Sequence, residues 1–225
     1  MRKLFSALLL LCTAAAGAAG LADITNQDAA TGLKQALSEG AAAAVGRLGV
    51  ENGFFSNAKV KIPLPQSMQR VEGVMRAMGM QKQADELVLA MNRAAEAAVV
   101  EAKPLLIDAV KSMSVQDAKK ILTGGDTAAT DYFRRTTSAP LSKKFLPIVK
   151  KATDQVGLAE KYNSLAGQGA RLGLVKDDQA TIEQYVTSKA LDGLFVIIAD
   201  EEKALRKNPV GATTDIVKKV FGAIR

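Results

Sequence analysis

Apolar positions recur at helical spacing along most of the chain, interrupted at a few Gly and Pro sites. Residues 26–47 are rich in Ala and end at Gly49, a natural helix stop. Residues 50–65 break the pattern. Asn52-Gly53 is a turn signal, Pro63 and Pro65 oppose regular helix, and Lys59-Val60-Lys61-Ile62 alternates polar and apolar as a short extended segment would. Helical spacing resumes over 66–78, stops at Gly79, and runs again over 81–113, where Pro104 removes one backbone donor and predicts a bend. Ser114 with Asp117 has the form of a capping box and predicts a two-turn helix ending at Gly124-Gly125. Asp126 is placed to cap a helix over 127–137, and Pro140 to open another running to 156, kinked at Pro147. Helices over 158–170, 179–206 and 214–224 complete the series. The expected fold is all-α, a single irregular bundle of about eight helices.

Two of these segments carry more detail. At about 100° per residue, Ala84, Leu87, Met91, Ala95, Ala98 and Leu106 share one face of the 81–113 segment, and Glu86, Arg93, Glu101, Asp108 and Lys111 lie opposite. Asp85, Asn92, Glu96 and Lys103 form a stripe along the border. Residues 194–199 (Leu-Phe-Val-Ile-Ile-Ala) are apolar on every side, which predicts a helix buried in the middle of the bundle or under an oligomer contact.

The first residues change the picture of compartment. Arg2 and Lys3, an apolar run from Leu4 to Leu11 and small residues onward from Thr13 read as an export signal over 1–22, leaving a helical domain at 23–225. The apolar run is too short to span a membrane, which needs about 20 residues, and no later segment is apolar enough. The chain is expected to be exported, most simply to a periplasm. Cys12 lies inside the signal, and Leu11 before it disfavours lipidation. Removal of the signal leaves a cysteine-free mature chain, suited to an oxidising compartment.

Composition then narrows the chemistry. The chain of 225 residues has no His, no Trp and one Cys, which excludes His-dependent nucleophile pairs and thiolate-rich or imidazole metal sites. No cofactor or metal is called for. Without Arg2 and Lys3 the 30 basic residues become 28 against 23 acidic, so the net charge falls from +7 to +5. The basic part is concentrated. Between Tyr132 and Thr153 there is no acidic residue, while Arg134, Arg135, Lys143, Lys144, Lys150 and Lys151 supply six positive charges. Such a run attracts an anionic envelope component, such as lipid headgroups, a cell-wall polymer or an acidic protein. Nucleic acid fits poorly with export and with so few stacking aromatics.

The candidate ligand-binding residues are therefore Asn92, Glu96, Lys103, Tyr132, Arg134, Arg135, Lys143 and Lys144. The leading expectation is a non-enzymatic binding module for an anionic or amphipathic cell-envelope partner. One alternative is an envelope hydrolase with Glu96 as general acid/base, helped by Asn92 or Tyr132. Another is an assembly factor that self-associates through 194–199.

Four segments together resemble the exported bacterial family catalogued as domain of unknown function 4197. They are Ile62-Pro63-Leu64-Pro65; Met91 to Glu96; Asp117-Ala118 through Leu122 and Gly124; and Ala129-Thr130-Asp131-Tyr132-Phe133. The resemblance implies an all-helical single domain and export. It implies no activity and carries over no functional residue, although Asn92, Glu96, Thr130 and Tyr132 fall inside the segments that support it.

Overall fold

The computed structural model describes residues 26–69, 77, 79, 81–154, 156, 159–160, 162–163 and 181–208. The chain is all-α, with no strand among the described residues. Its helices are α1 (Asn26–Leu48), α2 (Gln66–Gln69), α3 (Gln81–Val99), α4 (Ala102–Lys111), α5 (Val115–Leu122), α6 (Ala128–Thr153) and α7 (Ile182–Lys207). Among the described residues five of them have ten residues or more, fewer than the eight or so expected. The expected signal, the end of the 66–78 helix, most of the 158–170 helix and the helix at 214–224 lie outside the described residues.

Prolines account for two differences from the expected boundaries. The 81–113 segment is two helices rather than one bent helix. Val100 and Glu101 interrupt it, because Pro104 has no N–H for the Val100 carbonyl. Pro104 instead becomes the third residue of α4, where an N–H has no partner within the helix anyway. The opposite happens in α6, which runs unbroken through Pro140 and Pro147 and merges two expected helices. Both prolines sit on its exposed side, as do Thr136 and Lys143, whose carbonyls they leave unpaired within reach of water.

The capping box is present as expected. The Ser114 hydroxyl accepts from the Asp117 N–H at 3.0 Å, and the Asp117 carboxylate accepts from the Ser114 N–H at 3.3 Å. Asp126, by contrast, does not cap α6. It is exposed, and the residue before the helix is Thr127, whose side chain makes no cap bond. The cap comes from Glu202 on α7, as set out below.

α7 is the central element, packed against α6, α1 and α3. Leu194, Phe195, Ile197 and Ile198 are buried as expected, but Val196 opens to solvent. α3 buries Ala84, Leu87, Met91, Ala94, Ala95 and Ala98, and these small side chains let α6 and α7 approach closely. The core also takes in Phe54, Val60, Ile62 and Leu64 from the segment between α1 and α2. That segment is a loop and not an extended strand, so its backbone groups need partners from elsewhere.

Candidate functional site

The loop between α1 and α2 is pinned by side chains of α3. Asn92 is fully buried and pairs with both backbone groups of Ile62. Its Oδ1 accepts from the Ile62 N–H and its Nδ2 donates to the Ile62 carbonyl, each at 2.9 Å. Nδ2 also donates to the Val88 carbonyl at 2.7 Å. One turn on, Glu96 Oε1 accepts from the N–H groups of Phe54 and Phe55 at 3.0 and 3.1 Å, while Oε2 accepts from Arg93 at 2.6 Å. Arg93 continues outward to Glu51 and Asn52. Asn52 takes a positive φ of 67° at the loop's turn, a conformation that Asn tolerates better than most residues. From the other side, the buried Tyr185 of α7 donates its hydroxyl to the Pro63 carbonyl at 3.1 Å.

Two segments that support the family resemblance, around Ile62 and around Asn92, are therefore in direct contact. The other two meet at a second pin. Glu202 of α7 accepts from the Ala129 N–H at 3.0 Å, the Thr130 N–H at 2.9 Å and the Thr130 hydroxyl at 2.8 Å. Arg206, one turn along, donates to Glu202 and to the Ile121 carbonyl at 2.9 Å. This clamps the α5–α6 corner.

The proposed border stripe does not act as one unit. Asn92 and Glu96 turn inward, whereas Asp85 and Lys103 are exposed. Lys103 is on α4, beyond the break. Tyr132 is buried and donates to the Ala109 carbonyl at 2.8 Å. Its pKa is raised, chiefly by burial and secondarily by Asp117, with Arg135 opposing. Glu96 has both carboxylate oxygens engaged by protein donors. This geometry fits a residue that positions a loop. A general acid must instead present a proton to a substrate.

The acid-free run forms the exposed side of α6, and half of its charges are matched. Arg134 reaches Asp192 at 3.5 Å, Lys144 reaches Glu101 at 3.9 Å, and Lys150 meets Asp154 at 2.8 Å. The Asp154 partner raises the Lys150 pKa. Arg135, Lys143 and Lys151 make no close ion pair among the described residues; Arg135 lies over the Tyr132 ring at 5.5 Å, and its charge helps to lower the Asp117 pKa. These three are eight residues apart, so each step rises about 12 Å along the axis and turns about 80° around it, and they follow one inclined row of the helix surface.

A cleft of about 500 Å³ opens on another side, between residues 59–69 and the middle of α7. Its wall carries Lys59, Lys61, Gln66, Tyr185, Lys189 and Asp192. Val196, the exposed member of the apolar 194–199 segment, also lines it. Gly193 lines the floor, because a Cβ there would lie 2.7 Å from the Phe54 ring and 3.2 Å from Val60. Sequence reasoning missed this cleft. Its one local signal was the Lys59-Val60-Lys61-Ile62 alternation, which sends Val60 and Ile62 into the core and leaves both lysines outside.

The chain is thus an all-helical domain with one loop pinned across its α3 and α7 helices. It belongs to the family described as Protein of unknown function (DUF4197), whose model matches residues 23–222. No curated protein and no solved structure matches it. Among the described residues no helix is long and apolar enough to cross a membrane, and no acidic cluster is arranged to hold a metal ion.

Proposed function

We propose that the protein is exported to the periplasm, loses residues 1–22, and acts there as a non-enzymatic binding module for an anionic envelope partner. The supporting observation is the row of Arg135, Lys143 and Lys151 on the outer face of α6. These three charges make no close ion pair among the described residues, and only Arg135 feels a nearby carboxylate, Asp117. The row covers about 24 Å of the helix axis and about 160° of its circumference, which suits a partner with several negative charges that can follow the helix surface. Ala139, Leu146 and Pro147 lie on or beside that row and add no charge to it.

The test is co-sedimentation of the purified protein with anionic phospholipid vesicles, neutral vesicles, lipopolysaccharide and peptidoglycan at low salt. Binding to at least one anionic material, lost with added salt and lost in the Arg135→Glu, Lys143→Glu, Lys151→Glu triple variant, supports the reading. Indifference to all of them defeats it. Export is tested separately: mass spectrometry of the cell-derived protein is expected to find an N-terminus between residues 19 and 23.

A further inference from the structure

We infer that the cleft between the pinned loop and α7 is a binding site for a small organic anion carrying two or more negative charges. It is separate from the α6 row, so either site could fail without the other. The wall presents three ammonium groups, Lys59, Lys61 and Lys189, against a single carboxylate, Asp192. That carboxylate is already shared by two cations, Arg134 at 3.5 Å and Lys189 at 3.8 Å. Lys59 is matched by Asp200 at 2.6 Å, outside the cleft wall. Lys61 has no carboxylate partner among the described residues and sits over the Phe55 ring at 4.3 Å. The cleft therefore keeps a positive excess that its own carboxylate does not cancel.

Its construction suits a ligand more than a passing counter-ion. The volume of about 500 Å³ lies within the range of about 300–1,000 Å³ typical of small-molecule sites. The Gln66 carboxamide adds a polar group, and Val196 and Pro63 supply an apolar wall for a short carbon skeleton. Asn92 and Glu96 hold the loop from behind and Tyr185 holds it from the cleft wall, so the lysines are carried on a fixed frame. Carboxylates and phosphates both answer this description, since lysine recognises either as a point charge.

The experiment is an NMR titration of the purified protein with succinate and, separately, with glycerol 3-phosphate. Saturable shifts centred on the amides of Lys61, Gln66 and Lys189 and on the Val196 methyls are expected with at least one probe. The stronger probe identifies the anion as carboxylate or phosphate. The Lys61→Gln, Lys189→Gln variant should bind at least tenfold more weakly with an unchanged melting temperature. The triple Glu variant of the α6 row should bind as the parent does. The inference is overturned if neither probe saturates, if the shifts spread over α6, or if the cleft variant binds normally. The shift map on the unmodified protein decides the matter even if a variant folds poorly.

Discussion

The two pins use the same parts to different effect. In each, a buried glutamate accepts from two successive backbone N–H groups of a distant segment and is held by an arginine one turn away on its own helix. Glu96 fastens a loop that has further attachments, through Asn92 on the same helix and Tyr185 on α7. Its arginine, Arg93, remains partly open to water. Glu202 fastens the start of a 26-residue helix and supplies the cap that Thr127 does not. Its arginine is nearly buried and also takes the Ile121 carbonyl near the end of α5. One pin is redundant and half-wet, and the other stands alone and is dry. Their energetic weights should differ accordingly, since the cost of a broken pair grows with burial and with the number of groups left unsatisfied.

The widest separation between them is expected from Glu202→Gln. It leaves Arg206 buried without its counter-charge, which costs about 3–5 kcal/mol for pairs of this kind. The drop in melting temperature should be roughly 6–20 °C for a domain of this size, with unfolding still a single transition. A drop of a degree or two would mean that Thr127 or solvent takes over the cap, and the contrast between the pins would be lost. Glu96→Gln keeps an acceptor for Phe54 and Phe55 and gives up a pair that is only half sheltered, so about 1–2 kcal/mol is expected. Its signature is local. Hydrogen exchange should quicken at the Phe54 and Phe55 amides and stay slow at Ile62, which Asn92 holds. Simultaneous loss of protection at all three would show that the attachments are one cooperative unit. Gly193→Ala acts on the packing beneath the same loop, pressing a methyl into Phe54 and Val60, and should cost about 1–3 kcal/mol. An unchanged melting temperature would show that the loop yields freely.

The sequence disclosed local devices and hid distant ones. The Ser114–Asp117 box, the end of α1 before Gly49 and the apolar middle of α7 follow from spacing alone. The family segments were legible too, although what they do is not. Asn92 and Glu96 looked like cleft-lining polar groups because a helical projection shows only which face they share. That they turn inward depends on a loop 30 to 42 residues away, whose N–H groups lack secondary-structure partners. The cap of α6 comes from 72 to 73 residues downstream, and a nearby Asp126 gave a better local match to the rule. Which charges of the acid-free run are paired depends on Glu101 before α4, Asp192 on α7 and Asp154 at the end of α6, two of which are distant in sequence.

The mildest test of loop redundancy uses the attachment on the α7 side. Burial raises the Tyr185 pKa from 10 to about 12, with Tyr162 adding to the shift. The folded form therefore holds the phenolic proton more tightly than the unfolded chain does. The associated stability is complete below pH 10 and is lost as pH rises toward 12. Comparing the parent with Tyr185→Phe across pH 9–11.5 isolates this contribution from lysine titration, which both share. The variant should be slightly less stable at pH 7, by about 1 kcal/mol for one lost hydrogen bond, and the gap should close as pH rises. Because Asn92 and Glu96 remain in place, the loop amides should keep their protection at neutral pH. Loss of protection at Ile62 in Tyr185→Phe would show that the α7 attachment organises the loop, and the α3 pin would then be its consequence.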